Sequence, residues 1–518
     1  MTKFNVDRVL VFIIGISLII KILVSFFVQL GNDEVYYWTY ALYPDWSHFD
    51  HPPMVGWMIQ FFTFNLSLES EVFLRMGSII IAGVNTYMMF RLGRLLKDEL
   101  TGWYAAVLYS TSIYFGITAG FMILPDAPQL FFWILALFCL IKSLPVDPDS
   151  SKGKENMLFF GLAAGLAMMA KYTSVFLWIG ALIYILFYNR SWLKSWVLYV
   201  SMATSLFLFS PVLLWNFEND FVSFSFHIDR IVPVGFQVQS FLIEVIGEFL
   251  YQNPLIYLLM VVALIALLKG EVFMDKPKVV ILLISSIPLI ITVWGFALFN
   301  RTLPHWSGPG FLGLIMLAAA FLAAKLQDKG KYPAWPRSVI APGILFFATI
   351  LLGTLMINSG MGIPSGTGEQ SEEQLGSGEI TLDMQGWKQI ERGFSSLLEK
   401  EKQEGKITKD PVLISYKWFP AAHLDYYVAR PLHLDLFAIG EVQDIRKYSW
   451  INNQRGGIKK GADAYCIAIS NQYKDPSILY ANIFEEIERV ETIKVFRGDK
   501  HVRNAMVYRM KNYLGSGK

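Results

Sequence analysis

The chain is poor in charge. Of its 518 residues only 17% are Asp, Glu, Lys or Arg, where a soluble globular protein carries about a quarter. Two cysteines, Cys139 and Cys466, lie far apart in sequence, so a disulfide scaffold is excluded and redox compartment is not readable from them. No Walker P-loop, GxSxG elbow or HExxH helix occurs, which excludes the commonest nucleotide, serine-hydrolase and zinc-protease chemistries. Net charge is only +2 and the basic residues sit in short loops, so there is no nucleic-acid footprint. One local absence is as informative. The segment 31–53, GNDEVYYWTYALYPDWSHFDHPP, has no Lys or Arg, yet holds Asp33, Glu34, Asp45, His48, Asp50 and His51.

What is abundant is apolar surface: 54% of the residues are apolar and mean hydropathy is +0.43. The excess lies in residues 8–357, which contain many runs near the roughly 20 residues that cross a bilayer. Spans are predicted near 8–30, 72–93, 101–119, 121–141, 156–170, 173–189, 196–215, 252–269, 278–298, 309–324 and 338–357. The first is too long for a signal-peptide core and has no small-residue cleavage site, so it reads as a retained span. Alternate loops carry the cations, among them Lys3 and Arg8, Arg91 and Arg94, and Lys325, Lys329 and Lys331. The opposite loops carry only Lys171, Arg230 and Arg301. The positive-inside rule then places the N-terminus in the cytoplasm and, with eleven spans, the C-terminal domain outside. The fold expected is a polytopic α-helical membrane domain over 1–357, with a first outer loop at 31–70, a Gly/Ser-rich linker at 358–380 and an α/β domain over 381–518.

The unusual polar residues fall on the outer face. Asp33 and Glu34 open a segment whose Tyr36, Tyr37, Trp38 and Tyr40 suit an interfacial helix at headgroup level. They read either as helix N-terminal acids or as a general base near the membrane surface. His48, Asp50 and His51 have metal-ligand chemistry without a firm metal spacing, and His51 reads alternatively as a hydrogen-bond partner of a phosphate; a divalent metal stays open. Residues 53–65 read as a second interfacial helix. Asp126, in Pro125-Asp126-Ala127-Pro128, reads as a helix cap or as a second carboxylate at the depth of Asp33. Lys171 interrupts an apolar run, where it would snorkel to the interface or meet an anionic headgroup. Together with Arg230, Arg301 and His305 it suggests an anionic ligand at the outer surface. Lys21 and Arg75 read as interhelical or snorkelling groups, and Gly161 and Gly165 as close helix packing.

In the C-terminal part, GWKQIERGFSSLLEKEKQEG has the spacing of an amphipathic helix and DPVLISYKWFPAAHLDYYVARPLHL reads as strand, helix, short strand. GADAYCIAIS reads as a buried strand, and ETIKVFRG with NAMVYRMKNYL as a closing hairpin. The expected result is a small mixed-sheet domain without a catalytic set of its own.

DEVYYW and HPP in the first outer loop, LPDAPQLFFW, GLAAGLAMMAKYTSVFLW and GEFLYQNPLI resemble the GT-C superfamily of membrane glycosyltransferases. Within it they are most similar to family 39, the protein O-mannosyltransferase relatives, and to the aminoarabinose-transferase-like enzymes. The resemblance implies an enzyme that takes a sugar from a polyprenyl-phosphate donor on the outer face and inverts its anomeric carbon. It places the base on Asp33, with Glu34 as a neighbour. Where related aminoarabinose transferases have a Lys facing the lipid phosphate, this chain has His51 before Pro-Pro, a weaker and pH-dependent charge. Lys171, Arg230, Arg301 and His305 would complete the phosphate contacts. The implied partners are the lipid-linked donor, a lipid or glycan acceptor and membrane lipids. A protein acceptor is the alternative within the class. A transporter would need polar residues at the bilayer midplane and repeated halves, which are not seen.

Overall fold

A computed structural model describes residues 6–515 apart from 234, 329–334, 362–369 and 408–410; Lys3, Lys329, Lys331 and part of the linker lie outside the described residues. In chain order the helices are α1 (Val6–Phe27), α2 (Asn32–Leu42), α3 (Met54–Phe62), α4 (Glu71–Leu96), α5 (Glu99–Thr111), α6 (Asp126–Ser143), α7 (Ser151–Ala170), α8 (Phe176–Phe187), α9 (Trp196–Glu218), α10 (Val222–Asp229), α11 (Val238–Tyr251), α12 (Pro254–Leu268), α13 (Lys276–Ile284), α14 (Ile287–Ala297), α15 (Phe311–Gln327) and α16 (Arg337–Ser359). Then come α17 (Trp387–Gln403), β1 (Val412–Ser415), α18 (Trp418–Leu424), β2 (Leu436–Ala438), the short α19 (Val442–Ile445), α20 (Tyr448–Gln454), β3 (Ala464–Ile469), β4 (Phe484–Arg497) and β5 (Lys500–Tyr513).

The chain forms two compact units: one holds Met1–Leu23 and Pro44–Thr349, the other Val24–Tyr43 and Ile350–Lys518. The segment 31–70, read as one loop, is therefore divided between them at Tyr43/Pro44.

The first unit is helical. Each of the eleven predicted segments contains a helix, but among the described residues seven helices are long and apolar enough to cross a membrane, or eight if the bent pair α11–α12 is one span. The fourth begins at Asp126, five residues later than expected, because residues 119–125 form a turn. α5 is apolar on all sides and is buried by its neighbours. α7 packs closely on α9: a Cβ at Gly161 would strike the backbone of Ser201, while the Ser205 hydroxyl donates to the Gly161 carbonyl at 2.5 Å. Small residues at such crossings let helices approach where burial from water supplies no drive. Lys21 and Arg75 are both buried, the Arg75 guanidinium 4.6 Å from the centre of the Phe121 ring.

The QNP of GEFLYQNPLI makes the 103° bend between α11 and α12. Pro254 suits the first helical position of α12. Asn253, at φ 65°, accepts from Leu255 N and donates its amide to the carbonyls of Thr111 and Pro342, both at 3.0 Å. Asn253 is fully buried, so no water replaces those donors. Asn253→Ala should lower stability by roughly 2–4 kcal/mol, read as a thermal or denaturant shift of the purified protein.

The second unit is built on a mixed five-stranded sheet of order β2-β1-β3-β5-β4. β1 pairs parallel with β2 and β3, and β5 antiparallel with β3 and β4. α17 buries Trp387, Ile390, Phe394 and Leu397, the spacing of one helical face. α2 belongs to this unit's core. Tyr36, Trp38 and Tyr40 are fully buried, with Tyr36 5.1 Å from Trp418 and Trp38 5.2 Å from Tyr426, ring centre to ring centre. Those rings, read as suited to a membrane interface, thus pack against protein. Aromatic surface that suits an interface also suits a protein core, and here α18 supplies one.

Candidate functional site

In the helical unit, three breaks in regular structure bring polar residues together. The first is the end of α7. Lys171 leaves the helix with extended backbone (φ −155°, ψ 136°), and a short 3₁₀ turn, Tyr172–Val175, leads into α8. Gln129, one turn into α6, donates to Thr173 Oγ1 at 2.9 Å and Ser174 Oγ at 3.0 Å, fixing α6 to that break. The second is the start of α6. Asp126 does not cap it: its carboxylate meets Lys171 Nζ, with both oxygens at 3.0 Å, and accepts from the Tyr114 hydroxyl at 2.6 Å. Lys171 is buried in this pair and does not snorkel. The third is the loop between α14 and the 3₁₀ turn Gly308–Gly310, which carries Arg301 and His305. Gly308 lies flat on the Tyr114 ring, where a Cβ would overlap it.

Residues 44–53 bring His51 within electrostatic reach of Asp126, Lys171 and Arg230. His48 N donates to His51 O at 3.1 Å, making a tight turn ahead of Pro52-Pro53. α10 holds the turn from outside: the Ser223 hydroxyl donates to His48 O at 2.6 Å, and His227 Nε2 meets Asp50 O at 2.7 Å. The His51 and His227 rings are 5.8 Å apart and Tyr172 lies 5.3 Å from His227. The Arg230 guanidinium rests on Trp306, 4.6 Å from its ring, and on Phe226, at 5.4 Å.

His51, Asp126, Lys171, Arg230 and His305 thus form one electrostatic cluster, joined by His227. Burial, then the Lys171 ammonium and Arg230, push the His305 imidazole down to about 4 against the pull of Asp126. Burial, then His227 and Lys171, hold His51 well below the usual histidine range. Burial also lowers His227. At neutral pH these rings are neutral donors and acceptors, and Lys171 and Arg230 supply the positive charge. An anion with several acceptor oxygens would find here an ammonium, a guanidinium fork and imidazole N–H groups.

The other predicted residues fall elsewhere. Asp33 and Glu34 lie in the second unit: Glu34 is buried and accepts from Gly31 N at 2.9 Å, closing the first turn of α2, while Asp33 is exposed. Arg301 is exposed and joins none of the cluster's interactions among the described residues. His48 and Asp50 are buried in the turn, and among the described residues no group of three His, Cys, Asp or Glu is arranged to hold a metal. That corrects the reading of His48, Asp50 and His51 as a ligand set: their carbonyls and amides, not a common centre, organise the turn.

Tyr114, His227, Trp306 and Glu244 belong to no motif in the sequence, and Glu248 only to GEFLYQNPLI. His227 stands three residues before Arg230, a same-face spacing that was available. The glutamates stand four apart on α11 and hold the third loop: Glu244 accepts from Thr302 Oγ1 at 2.6 Å, and Glu248 from Ser307 Oγ at 2.5 Å and Trp294 Nε1 at 2.7 Å. In an apolar stretch they carried no sign of which loop they would meet.

Two predictions follow from the charges. Asp126→Asn leaves Lys171 buried without its counter-charge and should cost roughly 3–5 kcal/mol. Adding Lys171→Met should restore most of that loss, and a double-mutant cycle of melting measurements checks it. The unfolded chain protonates His305 near 6.5, the folded chain only near 4. Its contribution to stability is therefore complete above pH 6.5 and lost as pH falls toward 4. Unfolding midpoints across that window should fall more steeply for the wild type than for His305→Asn.

Residues 50–215 match the sequence profile of the family described as dolichyl-phosphate-mannose-protein mannosyltransferase. The fold is similar to that of ArnT from Cupriavidus metallidurans, solved in the apo state and bound to undecaprenyl phosphate, at a TM-score of 0.58, 13% identity and 98% coverage of both chains. The protein O-mannosyltransferase Pmt1-Pmt2 complex of S. cerevisiae, bound to its sugar donor, aligns at a TM-score of 0.33 and 19% identity over 45% of this chain and 35% of that one. No curated protein matches the chain in sequence.

Proposed function

We propose that the chain is a GT-C membrane glycosyltransferase, as the family match over residues 50–215 and the ArnT-like fold support, and that it is an inverting transferase that uses a polyprenyl-phosphate-linked sugar. The observation that carries this reading is the cluster of Lys171, Arg230, His51, His227 and His305 around Asp126. A phosphate leaving group needs cations and N–H donors where its charge develops, and needs no nucleotide site. Undecaprenyl phosphate bound to ArnT, a protein of the same fold, supports the same ligand chemistry here.

In this mechanism Lys171 and Arg230 bind the phosphate of the donor, and the imidazoles of His51 and His305 add hydrogen bonds. Arg301, exposed, is a peripheral contact. Asp33 takes the proton of an acceptor hydroxyl as its oxygen attacks the anomeric carbon. The bond between that carbon and the phosphate oxygen breaks with inversion, and polyprenyl phosphate leaves with the electron pair. Glu34 closes the turn that presents Asp33. The acceptor is an envelope lipid or polysaccharide, the membrane is the plasma membrane, and the domain after α16 faces the extracytoplasmic side with the N-terminus in the cytoplasm. The family description favours one second reading, in which the acceptor is a Ser or Thr hydroxyl of a protein.

Purified protein in nanodiscs, given a panel of polyprenyl-phosphate sugars with envelope lipid extract or acceptor peptides, should release free polyprenyl phosphate from one donor. Mass spectrometry follows the release and names the acceptor. Asp33→Asn should reduce turnover by about 100-fold or more with unchanged melting. Wild-type turnover by that variant removes the base assignment, and failure of every donor removes the donor class.

A further inference from the structure

The second unit contains a carboxyl group that the mechanism above does not use. Asp383 lies in a 3₁₀ turn, Ile380–Met384, and its Oδ2 accepts from Asn32 Nδ2 at 2.6 Å. Asn32 immediately precedes Asp33. The chain leading to it is held at successive residues. The Gln29 side chain accepts from Trp387 N at 2.9 Å. Leu30 N donates to the Tyr427 hydroxyl at 2.8 Å, and Leu30 O faces His423 Nε2 at 3.0 Å. Asp383 is pinned in turn: its carbonyl faces the same His423 nitrogen at 3.0 Å and accepts from Trp387 Nε1 at 2.9 Å.

We infer that Asp383 is a positioning residue for Asp33, holding the first turn of α2 through Asn32 and setting the electric field at the Asp33 carboxylate. The inference rests on the reading of Asp33 as the base.

Among the described residues, Asp33, Arg503 and His423 are the charged or titratable groups that face Asp383. Asp33 is a like charge. Arg503 is opposite in sign, with its guanidinium stacked on Trp387 at 4.5 Å and donating to the carbonyls of Leu382 and Gln385. His423, stacked on Trp387 at 4.2 Å, is driven by burial to about 3 and is neutral at working pH. Burial raises Asp383 to about 6, against the Asn32 hydrogen bond and Arg503 and helped by Asp33. Above that pH the ionised Asp383 makes Asp33 a stronger base, because the repulsion between like charges is mutual. Below it, protonation removes both the repulsion and the charge-assisted bond to Asn32. The acid limb of activity should therefore fall near pH 6.

Two variants separate the contributions. In Asp383→Asn the amide oxygen still accepts from Asn32 while the charge is lost; in Asp383→Ala both go. Measurements use the full chain in nanodiscs and the donor turned over by the wild type. Asp383→Ala should speed hydrogen exchange of a peptide covering residues 28–38 by about tenfold, without change in β3, and lower kcat by about tenfold at unchanged donor KM. Asp383→Asn should restore slow exchange but shift the acid limb below pH 6. Unchanged exchange at 28–38 in Asp383→Ala overturns the inference. So does a wild-type kcat and pH profile in Asp383→Ala while Asp33→Asn is inactive. Activity in Asp33→Asn overturns instead the base reading on which the inference stands.

Discussion

The buried pair of Asp126 and Lys171 is the interaction on which the helical unit's polar chemistry depends. In an apolar interior neither charge is tolerable alone, so each confines the other to 3.0 Å. That confinement joins two helix ends: the start of α6 and the extended residue that ends α7. The Tyr114 hydroxyl then finds its acceptor on Asp126, and Gly308 lays the third loop against the Tyr114 ring. The loop's other side is secured by Glu244 and Glu248. A single ion pair thus organises a set of segments widely separated in sequence.

The charge balance around that pair has a chemical consequence. Asp126 offsets the charge of Lys171. Burial, and after it the cations Lys171 and Arg230, depress the nearby histidines, so the cluster limits its own charge. A phosphate would reverse the sign of that coupling and favour protonation of the same rings. Under the proposed function, such a site would bind and release an anionic headgroup without holding a permanent block of like charges together.

The second unit shows a different use of aromatic and acidic residues. DEVYYW reads from the sequence as a membrane-surface helix, yet its rings pack on Trp418 and Tyr426. Amphipathic aromatics satisfy either environment, and only the partner decides. The two acids likewise divide: Glu34 closes the turn and Asp33 stays exposed. Asp383, far along the chain, reached no motif, because a lone Asp after a Gly/Ser-rich stretch carries no pattern until Asn32 is beside it.

The sequence by itself determined the helical, multi-span class, the mixed sheet of the second unit with its closing hairpin, and the residue types able to meet an anion. Those follow from local physics: long apolar runs, alternating strand patterns, Pro and Gly at breaks, and the cost of stray charge in an apolar stretch. Tertiary structure decided which charges meet. Asp126 faces Lys171 instead of capping its helix, Lys171 is paired instead of snorkelling, Arg301 stands apart while Arg230 and His227 join His51, and α2 packs into the second unit. Such pairings depend on distances between residues remote in sequence, and the same side chain satisfies several local rules equally well until its neighbour is known.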